Sequence, residues 1–196
     1  IDTVLNLGAG LDTRPYRLSL PSSLHWIEVD LPAIIDYKKE KLAKERPVCS
    51  LKSVKLDLTD FAACNALFTS VSTVAKQVLV IAEGLLVYMS YEQVAILCTA
   101  LHLQPNFRWW ILDLASPLML KLPQKKYIKE LTAANAKLLF APEEGTDFFH
   151  RYGWRALQFR SLLEEAHRLN REPPLNFILR RLAPFKKEGI ALFEQV

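Results

Sequence analysis

Val78-Leu79-Val80-Ile81-Ala82, closed by Glu83-Gly84, is the stretch from which the fold reads. Consecutive apolar residues cannot alternate between core and solvent, so a strand made of them is buried on both faces, as in a parallel sheet covered by helices on each side. Three earlier segments repeat the pattern of a strand-like run, a small or acidic residue and then a helical stretch. Thr3-Val4-Leu5-Asn6-Leu7 leads into Gly8-Ala9-Gly10, and His25-Trp26-Ile27-Glu28-Val29-Asp30 leads into a helix with Pro32 in its first turn. Val54-Lys55-Leu56-Asp57-Leu58 leads into a helix that Thr59 is placed to cap.

Downstream, Ser90 and Gln93 form a capping-box pair ahead of Val94, Leu97, Cys98 and Leu101, which share one helical face. Further strands are expected over 108–114, 153–157 and 190–196. A helix is expected over about 124–140, then an irregular stretch over 142–152, then a helix that Ser161 and Glu164 cap and Pro173-Pro174 breaks. Trp109 and Trp110, neighbours in the fifth strand, are expected to pack under helices on opposite faces. Because right-handed crossovers place helices on both sides, the chain should fold as a doubly wound α/β domain with a mostly parallel seven-stranded sheet and an antiparallel final strand.

Composition narrows the function classes. With 196 residues, 51% of them hydrophobic and 23% charged, a single globular domain over 1–196 is expected and disorder is excluded. A net charge of +4 makes no case for nucleic acid or for an anionic membrane, and Lys38-Lys39 and Lys125-Lys126 read as solvated helix faces without interleaved aromatics. Cys49, Cys64 and Cys98 show no CxxC spacing, which argues for a reducing, cytoplasmic setting and against a zinc knuckle or a disulfide framework. No apolar run approaches the roughly 20 residues of a membrane-spanning helix. The chain enters a strand almost at Ile1, so a segment upstream of it is expected.

In a doubly wound sheet a ligand binds beyond the carboxyl ends of the strands, near the point where strand order reverses. Those ends carry Gly8 and Gly10, Asp30, Asp57 and Glu83, separated by 22, 27 and 26 residues from Gly8 onward, each about one β/α unit. One rim would then gather two glycines that let backbone approach a ligand and three carboxylates. Asp30 is placed to accept from ribose hydroxyls and Asp57 from an adenine amine, while Glu83 would accept from the ligand or shape the entry to an acceptor pocket. Each feature alone has a plainer reading, since glycines serve ordinary turns and Asp30 or Thr59 caps helices. Thr13 stands where a dinucleotide fingerprint wants its third glycine, which leaves NAD second to S-adenosylmethionine, a ligand without pyrophosphate.

Three blocks carry a resemblance: Leu7-Gly8-Ala9-Gly10-Leu11-Asp12-Thr13-Arg14, Glu28-Val29-Asp30, and Ala82-Glu83-Gly84-Leu85-Leu86-Val87-Tyr88-Met89. Together they resemble the leucine carboxyl methyltransferase family of class I S-adenosylmethionine-dependent methyltransferases, closest in wording to its bacterial branch. The resemblance implies a Rossmann-like class I methyltransferase fold and cofactor contacts at Gly8, Asp30, Asp57, Leu58 and Glu83, to which the strand-end reading adds Gly10. It also implies a helical N-terminal lid, and an arginine upstream of the first strand for which Arg14 is a stand-in; both would lie outside 1–196.

The activity to expect is S-adenosylmethionine-dependent O-methyl transfer to a small-molecule or peptide carboxylate or hydroxyl. An NAD-dependent oxidoreductase and a catalytically silent nucleoside-binding domain are the alternatives. No metal is required, and an ionised carboxylate acceptor needs no base. The segment 116–153 is expected to border the acceptor pocket. Within it His150 is the candidate base for a hydroxyl and Arg151 the candidate partner of an acceptor carboxylate, with Tyr88 and Tyr91 as further candidates outside it.

Overall fold

The computed structural model describes residues 1–121, 137–171 and 187–196. Seven strands form one sheet: β1 (Thr3–Leu7), β2 (His25–Asp30), β3 (Ser50–Lys55), β4 (Val78–Ala82), β5 (Phe107–Leu114), β6 (Trp154–Ser161) and β7 (Gly189–Gln195). Their order is β3-β2-β1-β4-β5-β7-β6. Pairing is parallel from β3 through β5, whereas β7 runs antiparallel to both β5 and β6, between which it lies. The expected antiparallel final strand is therefore present. Strand order reverses between β1 and β4, which pair directly.

Among the described residues the helices are α1 (Arg14–Arg17), α2 (Pro32–Lys41), α3 (Phe61–Val74), α4 (Tyr91–His102), α5 (Pro117–Lys121), α6 (Asp147–His150) and α7 (Leu162–Arg168). A short 3-10 turn, Leu86–Tyr88, follows β4. Strand periodicity sorts side chains into two layers. Leu5, Leu7, Val78, Val80 and Ala82 join Phe68, Leu97, Trp110 and Phe193 in the larger core. Val4 and Ile81 point the other way and pack with Leu24, Trp26 and Cys49.

Several local expectations change. The third strand lies earlier than expected, at Ser50–Lys55, because this edge strand is only partly covered and holds just two apolar residues, Leu51 and Val54, one against each core. Asp57 stands in the turn beyond it, where its Oδ1 accepts from Thr59 N at 2.9 Å and Thr59 Oγ1 at 2.7 Å. That turn carries the chain past Thr59, so Asp60, not Thr59, caps α3 by accepting from Ala63 N. Ser90 and Gln93 form both halves of the capping box on α4. Ser161 occupies the N-cap of α7 without a side-chain cap bond, because β6 continues in register with β7 up to the Ser161–Gly189 pair.

Trp110 is fully buried, but Trp109 is only half-buried, since the second face of β5 is less completely covered. Of the helix expected over about 124–140, residues 122–136 lie outside the described residues, as do Lys125-Lys126 and Pro173-Pro174. The final part, 137–140, is not helical: Leu139 N and Phe140 N both donate to Val87 O, tying this segment to the turn after β4.

Candidate functional site

The carboxyl ends of β1, β2 and β4 meet where strand order reverses. Gly8 and Gly10 take the left-handed backbone, at φ +65° and +50°, which L side chains adopt only with strain. A Cβ on Gly8 would stand 3.1 Å from Leu85 Cδ1, so this glycine admits the β4 turn. A Cβ on Gly10 would meet nothing within 4 Å, so this glycine faces open space. Asp30 closes the arrangement: its Oδ2 accepts from Gly10 N and its Oδ1 from Leu31 N, each at 2.7 Å. A carboxylate so gripped is fixed in orientation, yet each oxygen keeps a further acceptor site.

Glu83 lies just past β4, where Arg14 reaches it with Nη2–Oε2 at 2.6 Å. Arg14 is also bound to Asp12, which Asn6 Nδ2 holds at 2.8 Å. Burial alone would raise the Asp12 carboxyl, but the hydrogen bonds and charge of Arg14 outweigh it and hold the group below the usual carboxylate range. Hydrogen bonds from the Thr59 backbone and hydroxyl likewise lower Asp57. Asp57 Oδ1 takes both of those bonds, and among the described residues no bond to its Oδ2 is formed. Leu58 points into the larger core.

Of the other candidates, Tyr88 lies in the 3-10 turn that follows Glu83 and Gly84, and the rest lie farther along the chain. Tyr88 is exposed, and Tyr91 is tied down, its hydroxyl donating to Ala141 O at 2.8 Å while its ring packs on Phe140 and Phe148. Arg151 pairs with Glu144 at 3.0 Å and lies over the Phe148 ring. His150 is exposed on α6, within one turn of Gly153. A Cβ on Gly153 would stand 2.3 Å from the ring of His102, the last residue of α4 before β5 begins. His150 thus sits toward the amino end of β5, away from the rim.

Asp12, Asn6 and Asp113, whose Oδ1 accepts from Gly84 N at 2.7 Å, escaped the sequence reading. A signal existed in Asn6, a polar residue inside an apolar strand. Lys38 is a correction: it is buried and ion-paired to Glu28, not solvated, and Glu28 inside β2 was its sign.

Residues 1–102 match the sequence profile of the leucine carboxyl methyltransferase family. A protein of Mycobacterium sp. (strain KMS), named as an inferred S-adenosyl-L-methionine-dependent methyltransferase, is 30% identical over 184 residues, covering 88% of this chain and 60% of that protein. A protein of the same name from Mycolicibacterium paratuberculosis is 40% identical over 88 residues, covering 44% of this chain and 28% of its own length. This chain thus spans well under two thirds of the length of these relatives. Among solved structures, a DUF574 family protein from Streptomyces avermitilis superposes with a TM-score of 0.69 at 14% identity, over 100% of this chain and 76% of that one. Magnesium protoporphyrin IX methyltransferase from Synechocystis, with bound S-adenosylhomocysteine, superposes at 0.52 and 12% identity, over 98% and 74%. These two likenesses concern the fold, the doubly wound sheet of class I methyltransferases.

Proposed function

The chain belongs to the leucine carboxyl methyltransferase family, and from that premise we propose that its rim binds S-adenosylmethionine and that the protein is an O-methyltransferase. The observation that carries the reading is the Gly10–Asp30 pair, in which open space at a side-chain-free position adjoins a carboxylate oriented by two backbone N–H groups. Asp30 would accept from the ribose hydroxyls, Asp57 through its open oxygen from the adenine amine, and Leu58 would contribute its backbone. Gly8, Gly10 and Glu83 complete the cradle. When bound, the cofactor supplies a methyl group on a sulfonium, and the chain's own residues align the partners and keep water out.

A dinucleotide is the weaker reading. A pyrophosphate seeks a helix N-terminus, but the helix following Gly10 is four residues long and its Thr13 N-cap makes no side-chain bond. The acceptor would be a small-molecule or peptide carboxylate or hydroxyl, and a carboxylate is ionised at neutral pH without help from a base. Thermal-shift measurement with S-adenosylmethionine, S-adenosylhomocysteine and NAD tests the reading. Stabilisation by the first two and none by NAD is expected; stabilisation by NAD alone would overturn it. Methyl transfer to candidate carboxylates then separates an enzyme from a silent binding domain.

A further inference from the structure

The turns after β1 and β4 flank the point of strand reversal, and Arg14 joins them. Its Nη2 lies 2.7 Å from Asp12 Oδ2 and 2.6 Å from Glu83 Oε2, and its Nε donates to Asp12 Oδ2 at 2.8 Å. Asp12 is itself anchored: Asn6 Nδ2 donates to Oδ2 at 2.8 Å and Arg14 N to Oδ1 at 2.9 Å. Asn6 belongs to β1 and is only 2% exposed, so the guanidinium hangs from the centre of the sheet. On the far side of the β4 turn, Gly84 N donates to Asp113 Oδ1 at 2.7 Å.

Isolated surface ion pairs contribute little, because two long side chains must be ordered in water. This bridge differs on three counts. It is a chain of four groups, its inner members are partly buried with Arg14 at 24% and Asp12 at 13% exposure while Glu83 keeps 37%, and one guanidinium contacts both carboxylates. Arg14 is the ion-pair partner of Glu83, and among the described residues no other bond to the Glu83 side chain is formed.

We propose that Arg14 is a positioning residue of the cofactor site: acting through Glu83, it fixes the β4 turn against the β1 turn and sets the carboxylate that the ligand meets. The inference rests on reading the rim as the S-adenosylmethionine site. A lysine could keep the charge but not the second contact to Asp12, since Nη2 touches both carboxylates while Nε separately donates to Asp12 Oδ2.

The test is a double-mutant cycle on the full chain with Arg14→Gln, Glu83→Gln and the pair, read by S-adenosylhomocysteine titration and by amide hydrogen exchange without ligand. Each single change should weaken binding by about tenfold or more, the worth of a charge-assisted hydrogen bond. The double variant should bind no more weakly than Glu83→Gln alone, and exchange in the β4 turn should speed up equally in both single variants. Arg14→Lys, which keeps the charge but loses the Nε contact to Asp12, should bind more tightly than Arg14→Gln and more weakly than wild type, and it serves as the second variant should the first unfold. Wild-type affinity in Arg14→Gln, or effects of the two changes that simply add, would overturn the proposal. If wild-type protein does not bind S-adenosylhomocysteine, the reading of the rim fails, and the exchange data judge the bridge alone: unchanged exchange in Arg14→Gln overturns it.

Discussion

Lys38 of α2 donates to the Glu28 carboxylate of β2, and each side chain keeps only 2% of its exposure. Ser53 Oγ of β3 donates to the other carboxylate oxygen at 2.8 Å, so three elements converge two residues upstream of Asp30. Removing one partner strands a buried charge, whereas replacing both with apolar groups removes the desolvation cost as well. Lys38→Ala should therefore destabilise the fold by about 3–5 kcal/mol, while Lys38→Met combined with Glu28→Leu should be close to neutral. Urea unfolding measures both; a cost below about 1 kcal/mol for Lys38→Ala, the scale of an exposed pair, would show that the pair is not buried in solution.

The lowered Asp12 carboxyl makes its contribution to stability pH-dependent. Its folded pKa lies below the ordinary 3.8, so the contribution is complete above that value and is lost as pH falls through the depressed one. Asp12→Asn should be less stable than wild type at neutral pH, and the gap should close as pH drops below 3.8. A gap that stays constant through the acid range would contradict the Arg14–Asp12 interaction as its source.

All three cysteines are buried and free. Burial, with the nearby Asp60 and Asp57 charges, pushes the Cys64 thiol up to about 11, so at pH 8 about one molecule in a thousand carries the thiolate that reacts. Thiol titration with a disulfide reagent should be slow on native protein and rapid in denaturant. Fast native labelling of Cys64 would show that the packing around α3 is looser than described.

His150 lies toward the amino end of β5, and a carboxylate acceptor needs no base. His150→Ala should therefore retain turnover. A loss of about 100-fold or more, the scale of general base catalysis, would instead call for a hydroxyl acceptor and a His150 that reaches it.

The central sheet was legible because β1 and β4 are buried on both faces and so are largely apolar, β4 throughout and β1 save for Thr3 and Asn6. At the edge that constraint lapses: β3 holds only Leu51 and Val54 as apolar residues, its sequence carries little strand signal, and the expected strand slid forward onto Asp57-Leu58. That Gly8, Gly10, Asp30, Asp57 and Glu83 stand at or just beyond strand ends was legible from their one-unit spacing. What spacing cannot carry is pairing between polar side chains. Arg14 was marked as a stand-in for a cofactor-binding arginine, but its pairing with Asp12 and Glu83 was not, and Lys38 looked like one more surface lysine until folding brought Glu28 to it. Position relative to the sheet ends was likewise hidden for His150, since sequence does not reveal how far a loop descends along a face.

The most direct test of the cofactor rim is isothermal titration of S-adenosylhomocysteine into this chain and into its Asp30→Ala variant. Asp30 is half-buried beside Gly10 and gripped by two backbone N–H groups, so losing its carboxylate removes a fixed acceptor at the proposed ribose position. The account predicts measurable binding to the wild-type chain, weakened by about 1–3 kcal/mol in the variant. Equal affinity in the two proteins would contradict it.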